Sequence, residues 1–219
     1  CNLSLHEIFE ASNALYRILW KDKFVCFSPE TFVRIENGQI FSFPMKGTID
    51  AGIENAKQVI LNDSKETAEH NTIVDLIRND LSRVAKEVTV EKFRYLERIK
   101  TNEKDLWQVS SKISGKLSEN YAENIGNIIF SLLPAGSISG APKKKTTEII
   151  AESEKYDRGF YTGIFGVFDG KDIDSCVLIR FIENTNRGLV YKSGGGITFM
   201  SESRNEYNEM LKKVYAPVH

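Results

Sequence analysis

The chain has 219 residues, 41% of them hydrophobic and 27% charged, with 29 Lys and Arg against 30 Asp and Glu. That balance leaves no net field to draw it to nucleic acid or to an anionic membrane, and no apolar run approaches the roughly 18 residues of a membrane span. Enough apolar material is present for one sizeable core, so a single domain is expected.

Three cysteines, Cys1, Cys26 and Cys176, are odd in number and fit neither a CxxC metal pattern nor a disulfide framework. A reducing, cytoplasmic setting is therefore expected. No signal-peptide pattern is present, and the chain begins at Cys1 without an initiator Met, which suggests that a segment has been removed from its start.

In chain order, Lys23–Ser28, Thr31–Glu36 and Gln39–Phe43 are short β-favouring runs, and Asn37-Gly38 joins the last two as a hairpin. Pro44-Met45-Lys46-Gly47-Thr48 reads as a loop. From about Ser64 to Ala85 the apolar residues Ile73, Leu76, Ile77, Leu81 and Val84 recur at helical spacing. Val88–Ile99 and Trp107–Leu117 read as strands, followed by a helix from Tyr121 to Leu132. Gly, Ser and Pro mark Pro134–Pro142 as a loop, and Pro142 suits the first position of a helix running to Ser153. Gly163–Asp169, Ile173–Ile182 and Leu189–Ser193 complete the strands, and a last helix covers Ser203–Val214. Strands come in runs without strict alternation with helices. This predicts an α+β fold of antiparallel or mixed β-sheets packed face to face with helices outside.

Glu66 and Glu69 share one helical face, as do Glu206 and Glu209. Converging from two helices, these four carboxylates suit a hard cation such as Mg2+. The alternative is local: Asp63 to Glu66 and Ser203 to Glu206 also fit capping boxes. Lys213, four residues after Glu209, pairs either with an anion beside the metal or with Glu209 itself. Gly194, Gly195 and Gly196 permit close backbone approach to a carboxylate, or simply a turn. Arg180 stands in an apolar run, where its guanidinium needs either a bound anion or an internal carboxylate. Lys143, Lys144 and Lys145 read as a solvated helix face. His6, His70 and His219 lack the spacing of a zinc site or a triad.

Taken together, Phe27-Ser28-Pro29-Glu30, the Pro44–Thr48 segment, Glu66-Thr67-Ala68-Glu69-His70 running into Ile73–Leu81, Pro134–Lys143, Arg158–Gly163, Gly194–Ile197 and Glu206-Tyr207-Asn208-Glu209 resemble the chorismate-utilising enzyme family, and they occur in family order. The resemblance implies that Glu66, Glu69, Glu206 and Glu209 hold Mg2+, which binds the ring carboxylate of chorismate. It also implies that Tyr161, Arg180 and the backbone of Gly194, Gly195 and Gly196 grip the enolpyruvyl carboxylate, with Ser137 and Lys213 near the substrate. Glu30 matches the general acid for loss of the C4 hydroxyl, a role that burial beside an apolar ring would favour.

Lys46 matches the amine nucleophile of the aminodeoxychorismate synthases, whereas anthranilate synthases usually have Ala there. Such a lysine must be neutral to attack, which a dry or cationic setting promotes. The resemblance thus implies conversion of chorismate and ammonia to 4-amino-4-deoxychorismate, with ammonia from a separate glutamine amidotransferase. Anthranilate synthase component I and a non-catalytic fragment are the alternatives. Gln108 departs from the family, where many members have a His and a glutamine cannot serve as acid or base. The chain is also shorter than the family's members. Residues 1–219 are expected to be the C-terminal part of a single chorismate-binding domain whose N-terminal part supplies half of the sheet sandwich.

Overall fold

The computed structural model of the protein describes residues 3–100, 104–199 and 201–214, and Cys1 and His219 lie outside them. The chain divides into a first unit (Cys1–Phe32, Glu154–Gly166, Ser175–His219) and a second (Val33–Ser153, Val167–Asp174).

The first unit opens with helix α1 (Leu5–Ala11), too short to show a helical period in the sequence. Its signal is local: Glu7 N–H donates to Ser4 Oγ at 3.2 Å while Ser4 N–H donates to Glu7 Oε2 at 2.7 Å, a reciprocal cap of the first turn. Strands β1 (Tyr16–Trp20) and β2 (Phe24–Ser28) form an antiparallel hairpin; β1 has no clear alternation and escaped the sequence reading. All five residues of β2 are buried, because both faces of that strand are covered. Phe24 and Cys26 pack with Tyr161, Cys176, Leu178 and Phe181 on one side, and Val25 and Phe27 with Leu5, Ile8 and Ile182 on the other. This is the period of two expected of a strand. Phe181 is fully buried, and truncating it to Ala would cost about 3–5 kcal/mol.

The second unit begins in β3 (Thr31–Glu36), which turns at Asn37 (φ 51°) and Gly38 (φ 79°) into β4 (Gln39–Ser42). Both φ values are positive, as the Asn-Gly hairpin signal requires. The Pro44–Thr48 segment is not a loop but the start of β5 (Met45–Asp50). Strand β7 (Asp105–Lys116) is long enough to pair along one edge with β4 and then β5, and along the other with β6 (Lys86–Lys100). Pro44 offers no N–H, but its carbonyl accepts from Ser111 N–H at 2.9 Å, so the ladder resumes. The register shifts between Met45 and Thr48, and Gly47, at φ 83°, absorbs the extra residue as a β-bulge.

Helices α2 (Ala56–Asn62) and α3 (Ser64–Leu81) follow β5. After β7 come a 3-10 turn (Tyr121–Asn124), α4 (Ile125–Leu132), the single-turn α5 (Gly136–Ser139) inside the expected loop, and α6 (Lys143–Ser153).

The run expected as one strand, Ile173–Ile182, is two: β9 (Ile173–Val177) and β10 (Phe181–Thr185), with β8 (Ile164–Phe168) before them and β11 (Gly188–Lys192) after. The break falls at Arg180, whose φ is 54°, a conformation that costs a non-glycine residue about 1–2 kcal/mol. Strands β9 and β10 belong to different sheets, with orders β5-β7-β4-β3-β9-β8 and β1-β2-β10-β11. Helix α7 (Ser203–Lys212) is the last described helix. Every strand pair with a described register is antiparallel, so the fold is α+β, as expected. Among the described residues, no single helix is long and apolar enough to cross a membrane.

Candidate functional site

In the second unit the site is built where α3 meets the β5 bulge. Asp63 caps α3 by accepting from Glu66 N–H at 2.9 Å, but Glu66 does not reciprocate, so no capping box claims its carboxylate. That carboxylate turns toward Gly47 instead. A Cβ at Gly47 would stand 2.8 Å from Glu66 Oε2, so a larger residue would displace that carboxylate, and the positive φ itself favours glycine. Glu66 Oε2 is buried and accepts no hydrogen bond. Burial, and then the neighbouring Glu69, push the Glu66 carboxyl above its ordinary range, with Lys46 acting in the opposite sense.

Lys46, on the bulge, places Nζ 2.8 Å from Glu69 Oε2, and Lys65 approaches Glu69 Oε1 at 3.8 Å. Behind this pair His70 is fully buried, with Nε2 2.7 Å from Ser111 Oγ. Ser111 Oγ also accepts from Arg94 N–H at 3.0 Å, which ties the imidazole of α3 to both β6 and β7. Burial, reinforced by the Arg94 cation, pushes His70 down to about 4. Spacing gave no hint of this support, since Ser111 joins α3 only through the sheet. Gln108 stands between Thr48 of β5 and Glu97 of β6 in the ladder.

Ser137 is exposed on α5, and neighbouring Gly136 and Ser139 are buried. Lys143 does not belong to a solvated face. Its Nζ is 2.7 Å from Asp80 Oδ2, with both side chains largely buried, because the carboxylate of α3 needs a counter-charge there. Lys145 behaves as expected, pairing with Glu148 at 3.5 Å.

In the first unit the expected substrate-binding residues gather around the triple glycine. A Cβ at Gly194 would lie 3.2 Å from Tyr161 Oη, and one at Gly195 would lie 3.8 Å from Glu206 Oε2 and 4.0 Å from Lys213 Nζ. Gly196 follows, exposed. Burial raises the Tyr161 phenol above its usual value. Glu206 Oε1 accepts from Ser201 Oγ at 2.7 Å. The cap of α7 is Glu202, not Ser203, so the second expected capping box is also absent. Lys213 pairs with Glu209 at 2.7 Å, as the local reading allowed.

Arg180 meets a partner that neither sequence alternative named: its Nη1 donates to the main-chain carbonyl of Lys213 at 2.5 Å, and Tyr191 Oη donates to the same oxygen at 2.9 Å. Glu30 is half-buried; its N–H donates to Ser28 Oγ at 3.1 Å and its carbonyl accepts from Val177 N–H at 3.1 Å.

The four expected metal ligands thus divide as Glu66 and Glu69 on α3 of the second unit and Glu206 and Glu209 on α7 of the first. Among the described residues no group of three or more His, Cys, Asp or Glu is drawn together tightly enough to hold an ion. On α3 itself the donor chemistry suits a hard cation: Glu66 and Glu69 offer carboxylate oxygens, and Glu66 keeps one buried oxygen unpartnered beside Gly47.

The pattern of the chorismate binding enzymes matches residues 4–219. The chain is 55% identical over 217 residues to an "Uncharacterized PabA-like protein" of Haemophilus influenzae, covering 99% of this chain and 66% of that protein. It is 34% identical over 200 residues to "Aminodeoxychorismate synthase component 1" of Bacillus subtilis, covering 88% of this chain and 41% of that one. Among solved structures it is similar to anthranilate synthase component I of Streptococcus pneumoniae, with a TM-score of 0.76 and 32% identity, over 92% of this chain and 45% of that one. The chain therefore spans from two-fifths to two-thirds of the lengths of these relatives, and it belongs to the family of chorismate binding enzymes.

Proposed function

We propose that residues 1–219 are the C-terminal part of a single chorismate-binding domain that converts chorismate and ammonia to 4-amino-4-deoxychorismate, acting as an aminodeoxychorismate synthase component I. The observation that carries this reading is the place of Lys46, on a glycine-dependent bulge beside the carboxylates of α3. Its neighbour is the Glu69 carboxylate at 2.8 Å rather than the dry or cationic setting expected. That carboxylate favours the ammonium form, so the amine must lose a proton before it attacks. Glu66, Glu69, Glu206 and Glu209 would hold Mg2+, which supplies positive charge for the ring carboxylate of the substrate.

In this reading Lys46 Nζ gives up a proton, for which Glu69 Oε2 is the nearest acceptor, and attacks C2 of chorismate. Both ring double bonds shift, and the C4 hydroxyl leaves as water with a proton from Glu30. Ammonia then enters at C4 and loses a proton to Glu30, both double bonds return, and the C2–Nζ bond breaks to release Lys46, which regains its proton from Glu69. Tyr161, Arg180, Ser137, Lys213 and the backbone of Gly194, Gly195 and Gly196 bind and orient the substrate. Ammonia comes from a glutamine amidotransferase subunit, in the cytoplasm.

A second reading, direct attack of ammonia at C2 to give anthranilate, is favoured by the similarity to the Streptococcus protein. Lys46 separates the two. Full-length protein with chorismate, Mg2+ and ammonium should yield 4-amino-4-deoxychorismate by chromatography, and without ammonia intact-mass spectrometry should trap a chorismate-derived adduct at Lys46. Lys46→Ala at high ammonium should shift the product to fluorescent anthranilate. Anthranilate from the unaltered protein, or an undiminished 4-amino product from Lys46→Ala, would overturn the proposal.

A further inference from the structure

The segment that carries Ser137 is a single turn of helix, too short to hold its own shape, so something else must fix it. Within α5 and its flanks, Ile138 and Ser139 N–H both donate to the Ala135 carbonyl at 3.0 and 2.9 Å, Gly140 N–H donates to Gly136 O at 2.8 Å, and Ser139 Oγ donates to Ala135 O at 3.1 Å. These bonds shape the turn, and two of the described contacts tie it to the rest of the unit. A Cβ on Gly136 would stand 3.1 Å from Ile77 Cδ1 and 3.2 Å from both Leu76 Cδ2 and Asp80 Oδ2, so the turn's backbone lies directly against side chains from the last turns of α3, which would have to give by a few tenths of an ångström to admit a larger residue. The same oxygen, Asp80 Oδ2, is 2.7 Å from Lys143 Nζ, which also donates to the Leu132 carbonyl at 2.9 Å.

One ammonium therefore joins three places: the end of α3 through Asp80, the end of α4 through Leu132, and the start of α6 through its own backbone. The turn lies between the last two. Ala135, Gly136 and Ser139 face inward and Ser137 faces out, which is the arrangement needed to present one side chain from a fixed support. An ion pair buried to this degree gives little net stability compared with an apolar replacement, whereas its directional bonds select one geometry. From this juxtaposition we infer that Asp80 and Lys143 are positioning residues that clamp the Gly136–Ser139 turn and thereby set Ser137 against the carboxylate-bearing ring substrate. The substrate half of this inference rests on the proposed function; the clamp itself does not.

The test uses the full-length protein and two readouts. In Lys143→Met, amide hydrogen exchange at Ile138, Ser139 and Gly140 should speed up by about tenfold or more relative to the α3 amides, and Lys143→Arg, which keeps the charge, should restore most of the protection. Chorismate affinity, measured by calorimetry with Mg2+, should fall in Lys143→Met and in Ser137→Ala, and the double variant should lose little beyond the larger single loss, because the two act through one contact. Exchange that is unchanged in Lys143→Met, or that rises equally throughout the unit, would overturn the clamp. Additive affinity losses would overturn its action through Ser137. If the unaltered protein binds no chorismate, the proposed function fails, and the exchange pattern still decides whether the clamp exists.

Discussion

Lys46 Nζ and Glu69 Oε2 stand 2.8 Å apart, an ion pair between the bulge of β5 and the polar face of α3. It joins the residue proposed as nucleophile to one proposed as a metal ligand. Glu69→Gln should therefore release the amine: acylation of Lys46 by an amine-selective reagent, followed on its peptide by mass spectrometry, should rise about fivefold, the equivalent of ~1 kcal/mol for a part-exposed pair. Lys65→Ala, which removes the longer 3.8 Å contact to the same carboxylate, should change it much less. Equal labelling in all three proteins would mean that the pair does not hold Lys46.

Glu66 gives a prediction of opposite sign for stability and for ion binding. Its carboxyl is raised in the folded state, burial being the main cause, so its contribution is most favourable below the unfolded value and is lost as pH rises and the buried group ionises. Once ionised, and without a cation, Glu66 opposes folding. Glu66→Gln should raise the melting midpoint of EDTA-treated protein by about 2–4 °C, the effect of ~1 kcal/mol in a protein of this size, and should reduce the further rise produced by Mg2+. A lower midpoint in EDTA, or an unaltered response to Mg2+, would remove Glu66 from the ion site.

His70 sets a limit on acid stability. Its folded value is pushed from 6.5 down to about 4 by burial and the Arg94 cation, so the unfolded chain takes up the proton first. The stability contributed by the neutral ring is complete above about pH 6.5 and is lost between there and about pH 4, a total of roughly 3 kcal/mol. Denaturant midpoints measured across that interval should fall for the unaltered protein and flatten in His70→Asn. Parallel curves would show that His70 does not govern the slope.

The carbonyl of Lys213 receives two donors, Arg180 Nη1 and Tyr191 Oη, which fix the C-terminal end of α7. Tyr191→Phe should cost about 1 kcal/mol, with faster amide exchange confined to the last turn of α7. Arg180→Ala should produce the same local loosening together with a loss of chorismate affinity that Tyr191→Phe does not match. Equal affinity losses in the two variants would make Arg180 a helix anchor and nothing more.

The sequence by itself determined those features whose causes lie within a few residues. Asn37-Gly38 specified its hairpin because the turn needs two positive φ values, and the apolar spacing from Ile73 to Leu81 specified α3 because only a helix brings those side chains onto one face. The ordered run of motifs was enough to name the family. What the tertiary structure decided was pairing. Pro44–Thr48 became a strand because β7 had an open edge beside it, and Ile173–Ile182 became two because its halves joined different sheets. Whether Glu66 closes a capping box or faces a bare glycine, whether Lys143 is solvated or neutralises Asp80, and which oxygen receives Arg180 all depend on residues tens of positions away. Charge and hydrogen bonding act over a few ångströms of space, and spacing along the chain carries no record of which distant partner will come that close.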